Sequence, residues 1–464
     1  MLNTTWVRGF LMFLIFGVVG ISPMINLKAG SFQSTELQSR APIQINGDAG
    51  FNPANGVRSG SGTEADPYII EGWRIDGAGS DEGILIDSTT RFVIIRNCEV
   101  FNSGIGINVV ESGNVTVENC HFHDNSRGIQ VLDAQDVSLR GNLIEFNLDL
   151  GIGLFESQNV SLVDNRIWNN WRRDGSVEFS LGLFSDELSS SSGEGNQVAG
   201  HQLDMLIRRR DDDGNAFNLF SNPPLSPEVN CSQIILEFPT MFVTKTPEAP
   251  DPTEPYCGVL LSMLRSLPLN LLGRITQVIF EADDEEIAGL FTGVGVIRVL
   301  NVRNLKFFAE VFYHEAAHAI QNSAFDNRLQ ADWIFVTTPR ESDPDFFAAT
   351  SADFFDEDNS QVVSYGNNNQ FEDFATTFQA YTRDTFAMLS RAKRIESNTG
   401  KMVLLEKMRF VARLIRLGSP DIAYRNVVGW NTETGDVSVQ IQTAEITLED
   451  GLPAITGPLM WNTH

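Results

Sequence analysis

Val93-Ile94-Ile95-Arg96-Asn97 returns as Val115-Thr116-Val117-Glu118-Asn119, and the fold of the first half of the chain follows from how often it returns. Val137-Ser138-Leu139 and Val160-Ser161-Leu162 repeat the apolar part. Asn97, Asn119, Asn142 and Asn165 follow these segments at spacings of 22, 23 and 23. A second series keeps step: Gly83-Ile84, Gly104-Ile105, Gly128-Ile129 and Gly151-Ile152. Leu181-Gly182-Leu183-Phe184 echoes Ile152-Gly153-Leu154-Phe155 after an insertion at residues 171–175. Short strands at this period, punctuated by Gly and Asn, make one coil of a solenoid each. A single coil cannot bury its apolar face, so neighbouring coils stack. Asn tolerates the left-handed corner conformation, and its side chain can bond the Asn of the next coil as a ladder. Cys98 and Cys120 then stack one coil apart and are expected as buried thiols.

With these repeats, residues 60–200 resemble the right-handed parallel β-helix family, the pectate-lyase-like group of surface proteins and polysaccharide-acting enzymes. Gly60-Ser61-Gly62-Thr63-Glu64-Ala65-Asp66-Pro67 looks like the lead-in to its first coil. The resemblance implies a polysaccharide or cell-surface ligand. No cluster of Asp with Lys or Arg recurs at matching coil positions, so the coils give no lyase or glycosidase site. His121 and His123 share a strand face and are read as carrying no metal, because the sequence suggests no other ligand beside them. Arg208-Arg209-Arg210 and Asp211-Asp212-Asp213-Gly214 read as a solvated turn, without the distal Glu of a calcium loop. Ser189–Ser192, Gly193 and Gly195, then Pro223, Pro224 and Pro227, mark the exit from the coils.

Composition narrows the function classes. The 464 residues are 42% hydrophobic, enough for two or three packed domains. A net charge of −27 argues against nucleic acid as a partner, since such binding needs a basic face. Arg8 followed by the apolar run of residues 9–21 reads as a signal peptide or retained N-terminal membrane anchor over residues 1–29. The expected localisation is therefore extracytoplasmic, secreted or membrane-anchored. Cys231 and Cys257 bracket a Pro-rich segment and form a disulfide in an oxidising compartment if they pair.

The chemistry lies in the second half. The chain has six His, and two of them fall in His314-Glu315-Ala316-Ala317-His318. Phe307, Val311, His314 and His318 recur at helical spacing with no Gly or Pro between them. Positions four apart share a helix face, so both imidazoles can meet one Zn²⁺, and Glu315 stands where it can take a proton from water. The alternative is a buried helix with two satisfied histidines. Residues 277–280 and 294–300 read as strands before this helix, and Ala288-Gly289-Leu290-Phe291 leads into the second, which is expected at the sheet edge. That order matches the layout of zincins, whose edge strand pairs with an extended peptide.

A third ligand is needed. The residues after His318, Ala319-Ile320-Gln321-Asn322-Ser323, lack the Gly and His of a metzincin. Glu372, on a segment with the apolar stripe Phe371, Phe374, Ala375, Phe378 and Tyr381, is the candidate. An acid in a first helical turn is also favoured by the helix dipole, and Asp373 is read in that way or as support to the site. His314-Glu315-x-x-His318, Ser364-Tyr365-Gly366 and Glu372-Asp373-Phe374-Ala375 together resemble the gluzincin peptidases with a lethal-factor-type catalytic domain, over residues 258–395. The resemblance implies that His314, His318 and Glu372 bind zinc, that Glu315 is the general base, and that Tyr365 bonds the oxyanion. Where that family has a Glu four residues after the ligand Glu, this chain has Thr376.

The expected architecture is a multidomain chain: a right-handed parallel β-helix followed by an α+β zincin-like metallopeptidase domain. Residues 30–226 form the β-helix with its linker, 227–420 the peptidase domain and 421–464 a small C-terminal hairpin. Val259–Leu272 and Met402–Leu417 read as helices, the latter ended by Gly418 and Pro420. Residues 340–360 read as a loop or lid beside the cleft. The expected function is a zinc metalloendopeptidase acting on a peptide or protein substrate. The alternative is a non-catalytic adhesion or carbohydrate-binding protein with a degenerate peptidase domain.

Overall fold

A computed structural model describes residues 37–170, 181–201, 203–211, 213–221, 232–246, 254–281, 289–293, 295–299, 305–325, 327–337, 369–400, 402–416, 422–445, 448–449 and 452–453, and these lie in one compact unit. The expected N-terminal leader, the insertion at 171–175, Tyr365, Cys231 and the loop at 340–360 lie outside the described residues.

The repeats form a stacked parallel solenoid. Val93, Val115, Val137 and Val160 stand in register on successive coils, as do Ile95, Val117, Leu139 and Leu162. All are essentially buried. Each such side chain contributes about 1.5–3 kcal/mol on leaving water, which is why the apolar pattern sets the register. A second parallel sheet stacks Ile84, Ile107, Ile129, Ile152 and Leu183.

Three sequence readings shift here. The glycine–isoleucine partner of Gly83-Ile84 is Gly106-Ile107, not Gly104-Ile105, because Ile107 is buried and Ile105 is not. Leu181-Gly182-Leu183 sits on Leu150-Gly151-Ile152, two residues from the expected echo. The strand Ser191–Ala199 does not leave the solenoid: Ser191, Ser192 and Gly193 stack on Val160, Ser161 and Leu162, and Leu203–Arg210 adds a further strand. Arg208–Arg210 then run into a turn closed by Asp211 and Gly214, as expected of a solvated turn.

The asparagine series resolves into two columns. Asn97 and Asn119 hold left-handed corners at φ 52°. Asn142 and Asn165 sit one residue further along, point inward and bond each other at 3.0 Å, continuing to Asn196 at 3.0 Å. Cys98 and Cys120 are the earlier rungs of that inward column: the Cys98 N–H points at Cys120 Sγ as the Cys120 N–H does at Asn142 Oδ1. Both thiols are free and buried. A second ladder, Asn125–Asn147–Asn170, ends on His201.

Beyond the solenoid, the described helices are α1 (Ser232–Glu237), α2 (Glu254–Ser266), α3 (Leu269–Leu272), α4 (Leu305–Ala324), α5 (Asn327–Thr337), α6 (Gln370–Arg383), α7 (Thr385–Thr399) and α8 (Val403–Arg416). The expected continuous helix over 259–272 is broken between α2 and α3, where Pro268 cannot donate to the turn before it. A four-stranded sheet carries Gly289–Phe291 at one edge, antiparallel to Val296–Val299. The edge is therefore 289–291, and the strand expected there lies one place inside.

The tail hairpin, Ile422–Asn431 with Val437–Glu445, does not stand alone. Its first strand pairs antiparallel with Ser191–Ala199 of the solenoid. Gly193 makes this possible: a Cβ there would lie 2.1 Å from the Trp430 ring. No helix among the described residues is long and apolar enough to cross a membrane.

Candidate metal centre

Helix α4 has no Gly or Pro and buries Phe308, Phe312, Tyr313, Ala316, Ala317 and Ile320. That stripe fixes its rotation and turns His314 and His318 to the opposite side, facing α6. The first turn of α6 is set by Asn369, whose side chain accepts from the Phe371 and Glu372 N–H groups at 2.8 and 3.1 Å. Glu372 is thereby aimed at α4.

Three atoms converge. His314 Nε2 lies 2.9 Å from Glu372 Oε2, His318 Nε2 lies 3.3 Å from the same oxygen, and the two nitrogens are 3.2 Å apart. Zinc bonds of 2.0–2.1 Å in a tetrahedron place neighbouring ligand atoms about 3.3 Å apart. Two imidazole nitrogens and a carboxylate oxygen at these separations fit one Zn²⁺. Burial raises the Glu372 carboxyl, but the hydrogen bonds and charges of His314 and His318 outweigh it and hold that carboxyl down at about 2.

Glu315 sits beside this triad, largely buried. Burial pushes its carboxyl above the usual range, against the pull of His314, His318 and the Phe291 N–H. The edge strand lies directly over it: a Cβ on Gly289 would meet Val311 at 2.4 Å and the Glu315 side chain at 3.0 Å. A cleft of about 550 Å³ is lined by Leu290, Phe291, His314, Glu315, His318 and Phe371, among others.

Asp373 and Thr376 do not reach the triad. Asp373 turns away to a buried ion pair with Lys407 of α8, at 2.5 Å. Thr376 bonds back into its own helix, to the carbonyls of Glu372 and Asp373. One turn before His314, Glu310 pairs with Arg383, whose other nitrogen donates to Asp204 at 2.8 Å. Asp204 holds His201, which ends the second asparagine ladder. A buried polar chain therefore runs from the solenoid interior to α4. Neither pairing left a local sequence signal, since each joins residues far apart in the chain.

His121 and His123 are not as isolated as the sequence suggested. Glu99, Asp124 and Glu145 surround them, and one ligand atom each from Glu99, His121 and His123 lies within 4.8 Å of the others. The repeat itself carried the missed signal: Glu99 is 22 residues before His121, one coil back. Cys257 is disulfide-bonded.

Residues 54–210 match the family described as the right-handed β-helix region, so the solenoid is of that kind. Neither the curated proteins nor the solved structures include a match to this chain.

Proposed function

We propose that this chain is an extracytoplasmic zinc-dependent metallopeptidase whose β-helix binds a surface glycan or protein. The observation that carries the reading is the convergence of His314, His318 and Glu372 within 2.9–3.3 Å, with Glu315 beside them in a cleft under a sheet edge. The match of residues 54–210 to a β-helix supports the binding module, and the resemblance to gluzincins supports the chemistry.

His314, His318 and Glu372 would hold the zinc, which would supply Lewis acidity for a peptide carbonyl and an attacking water. Gly289–Phe291 pairs with an extended substrate and lays it across the cleft. Leu290 and Phe371, 39% and 48% exposed, give its side chains apolar walls. Glu315 accepts a proton from the attacking water and delivers it to the leaving amine as the C–N bond breaks. Its raised affinity for a proton suits that exchange. Tyr365 donates to the oxyanion by resemblance alone.

The test is cleavage of an unstructured protein by purified, zinc-loaded chain. Glu315→Gln should retain zinc and lose roughly 10²–10⁴-fold in rate. Full activity in that variant overturns the reading. A second reading, a non-catalytic adhesion protein, rests on Thr376, whose hydroxyl is spent on its own helix. It requires retention on a polysaccharide matrix and no cleavage by the wild-type chain.

A further inference from the structure

The solenoid wall carries a second constellation, independent of the peptidase reading. On the strand His121–His123, Phe122 points into the core and both imidazoles point out. The coils on either side put a carboxylate against each ring. Glu99 Oε1 lies 3.2 Å from His123 Nε2, and Glu145 Oε1 lies 3.2 Å from His121 Nε2. The rings are 4.3 Å apart. Phe101 stacks on His123 at 5.2 Å and fixes its plane. Arg74 occupies the other oxygen of Glu99 at 2.7 Å, which leaves Oε1 aimed at the imidazoles.

Asp124 Oδ2 lies 2.7 Å from His123 Nδ1, which leaves Nε2 as the nitrogen that faces Glu99. Glu99, His121 and His123 each bring one ligand atom within 4.8 Å of the others, so a single divalent ion can be shared by all three. A carboxylate on the far nitrogen of a ligating His, as Asp124 is here, orients the ring and strengthens it as a ligand.

We infer that Glu99, His121 and His123 form a second metal site, for a divalent ion of the zinc class, on the outer wall of the β-helix. Imidazole with carboxylate selects that class over calcium or magnesium, which prefer all-oxygen shells. Its neighbours give it a structural role. Arg394 of α7 pairs with Asp124, and Ser390 of α7 donates to the almost wholly buried Glu145. The same face packs Leu143 and Trp168 against Phe386 and Ala387 of α7. The ion sits at the margin of that contact and clamps the wall beneath the helix that follows α6.

The experiment uses the full chain carrying His318→Ala, so that the outcome does not depend on the helix-borne triad. Zn²⁺ alone is titrated calorimetrically into metal-free protein, and Co²⁺ is followed by visible absorption. One equivalent should bind, with the intense cobalt bands of a low-coordinate site. Adding His121→Ala should abolish both signals, and adding Glu99→Gln should weaken binding at least tenfold. If His121→Ala impairs folding, judged by its far-ultraviolet dichroism, the Glu99→Gln titration decides. Binding unaltered by Glu99→Gln, or no zinc bound by the His318→Ala protein, overturns the proposal.

Discussion

Two His–His–Glu sets in one chain are built on different scaffolds. The first spaces its histidines four apart on α4 and takes Glu372 from another helix, with every ligand pair 2.9–3.3 Å apart. The second spaces them two apart on a strand and takes Glu99 from the coil below, with Glu99 Oε1 3.2 Å from His123 Nε2. The helix set opens on a cleft and has a further carboxylate, Glu315, beside it. The strand set has its neighbouring carboxylates committed to α7. Ligand type is thus common to the two sets, and what differs is the open face and the added acid of the first.

The sharpest break between the two is activity. His318→Ala should remove cleavage of an unstructured protein by roughly 10³-fold or more, whereas His121→Ala should leave the rate within about twofold. Loss of activity in both would merge the sites. The next effect is on the scaffold of the helix set. Lys407→Met leaves Asp373 buried without its ammonium partner and should cost about 3–5 kcal/mol, read as a fall in denaturant midpoint. Graded chelation gives a smaller difference. The helix triad, whose three ligand pairs already stand at tetrahedral separations, should hold zinc about tenfold better than the strand set, so limiting chelator should remove the cobalt or zinc of the wall first. The smallest effect concerns the column beside His121. Cys120→Asn should extend the inward ladder by one rung and raise stability by about 1 kcal/mol in a denaturant titration, because Asn142 and Asn165 already make the bonds it would copy.

The sequence was readable where function and structure share a short period. Valines at positions 93, 115, 137 and 160 announced the coils, because stacking demands identical faces. Asparagine misled, since the same residue type serves the left-handed corner at 119 and the inward rung at 142. His314 and His318 were legible because a helix turn brings them together locally. Glu372 was legible through the apolar stripe around it. Glu99 was not, although the period pointed to it, because a ligand one coil away does not look like a neighbour. Lys407 with Asp373, and Arg383 with Glu310, depend on packing between distant helices and left no periodic trace.

The hairpin that returns to the solenoid sets a timetable for folding. Ser191 donates to Thr432, 241 residues later, and Ile422–Asn431 completes the sheet begun by the coils. Contacts of that sequence separation form late, since their loop must close before any bond repays it. During synthesis the coils can stack as they emerge, while the edge at Ser191–Ala199 stays open until Ile422–Asn431 has been made. A chain interrupted before that strand would carry a bare sheet edge, prone to pair with another copy. The hairpin thus closes the sheet only on molecules whose synthesis has reached Asn431.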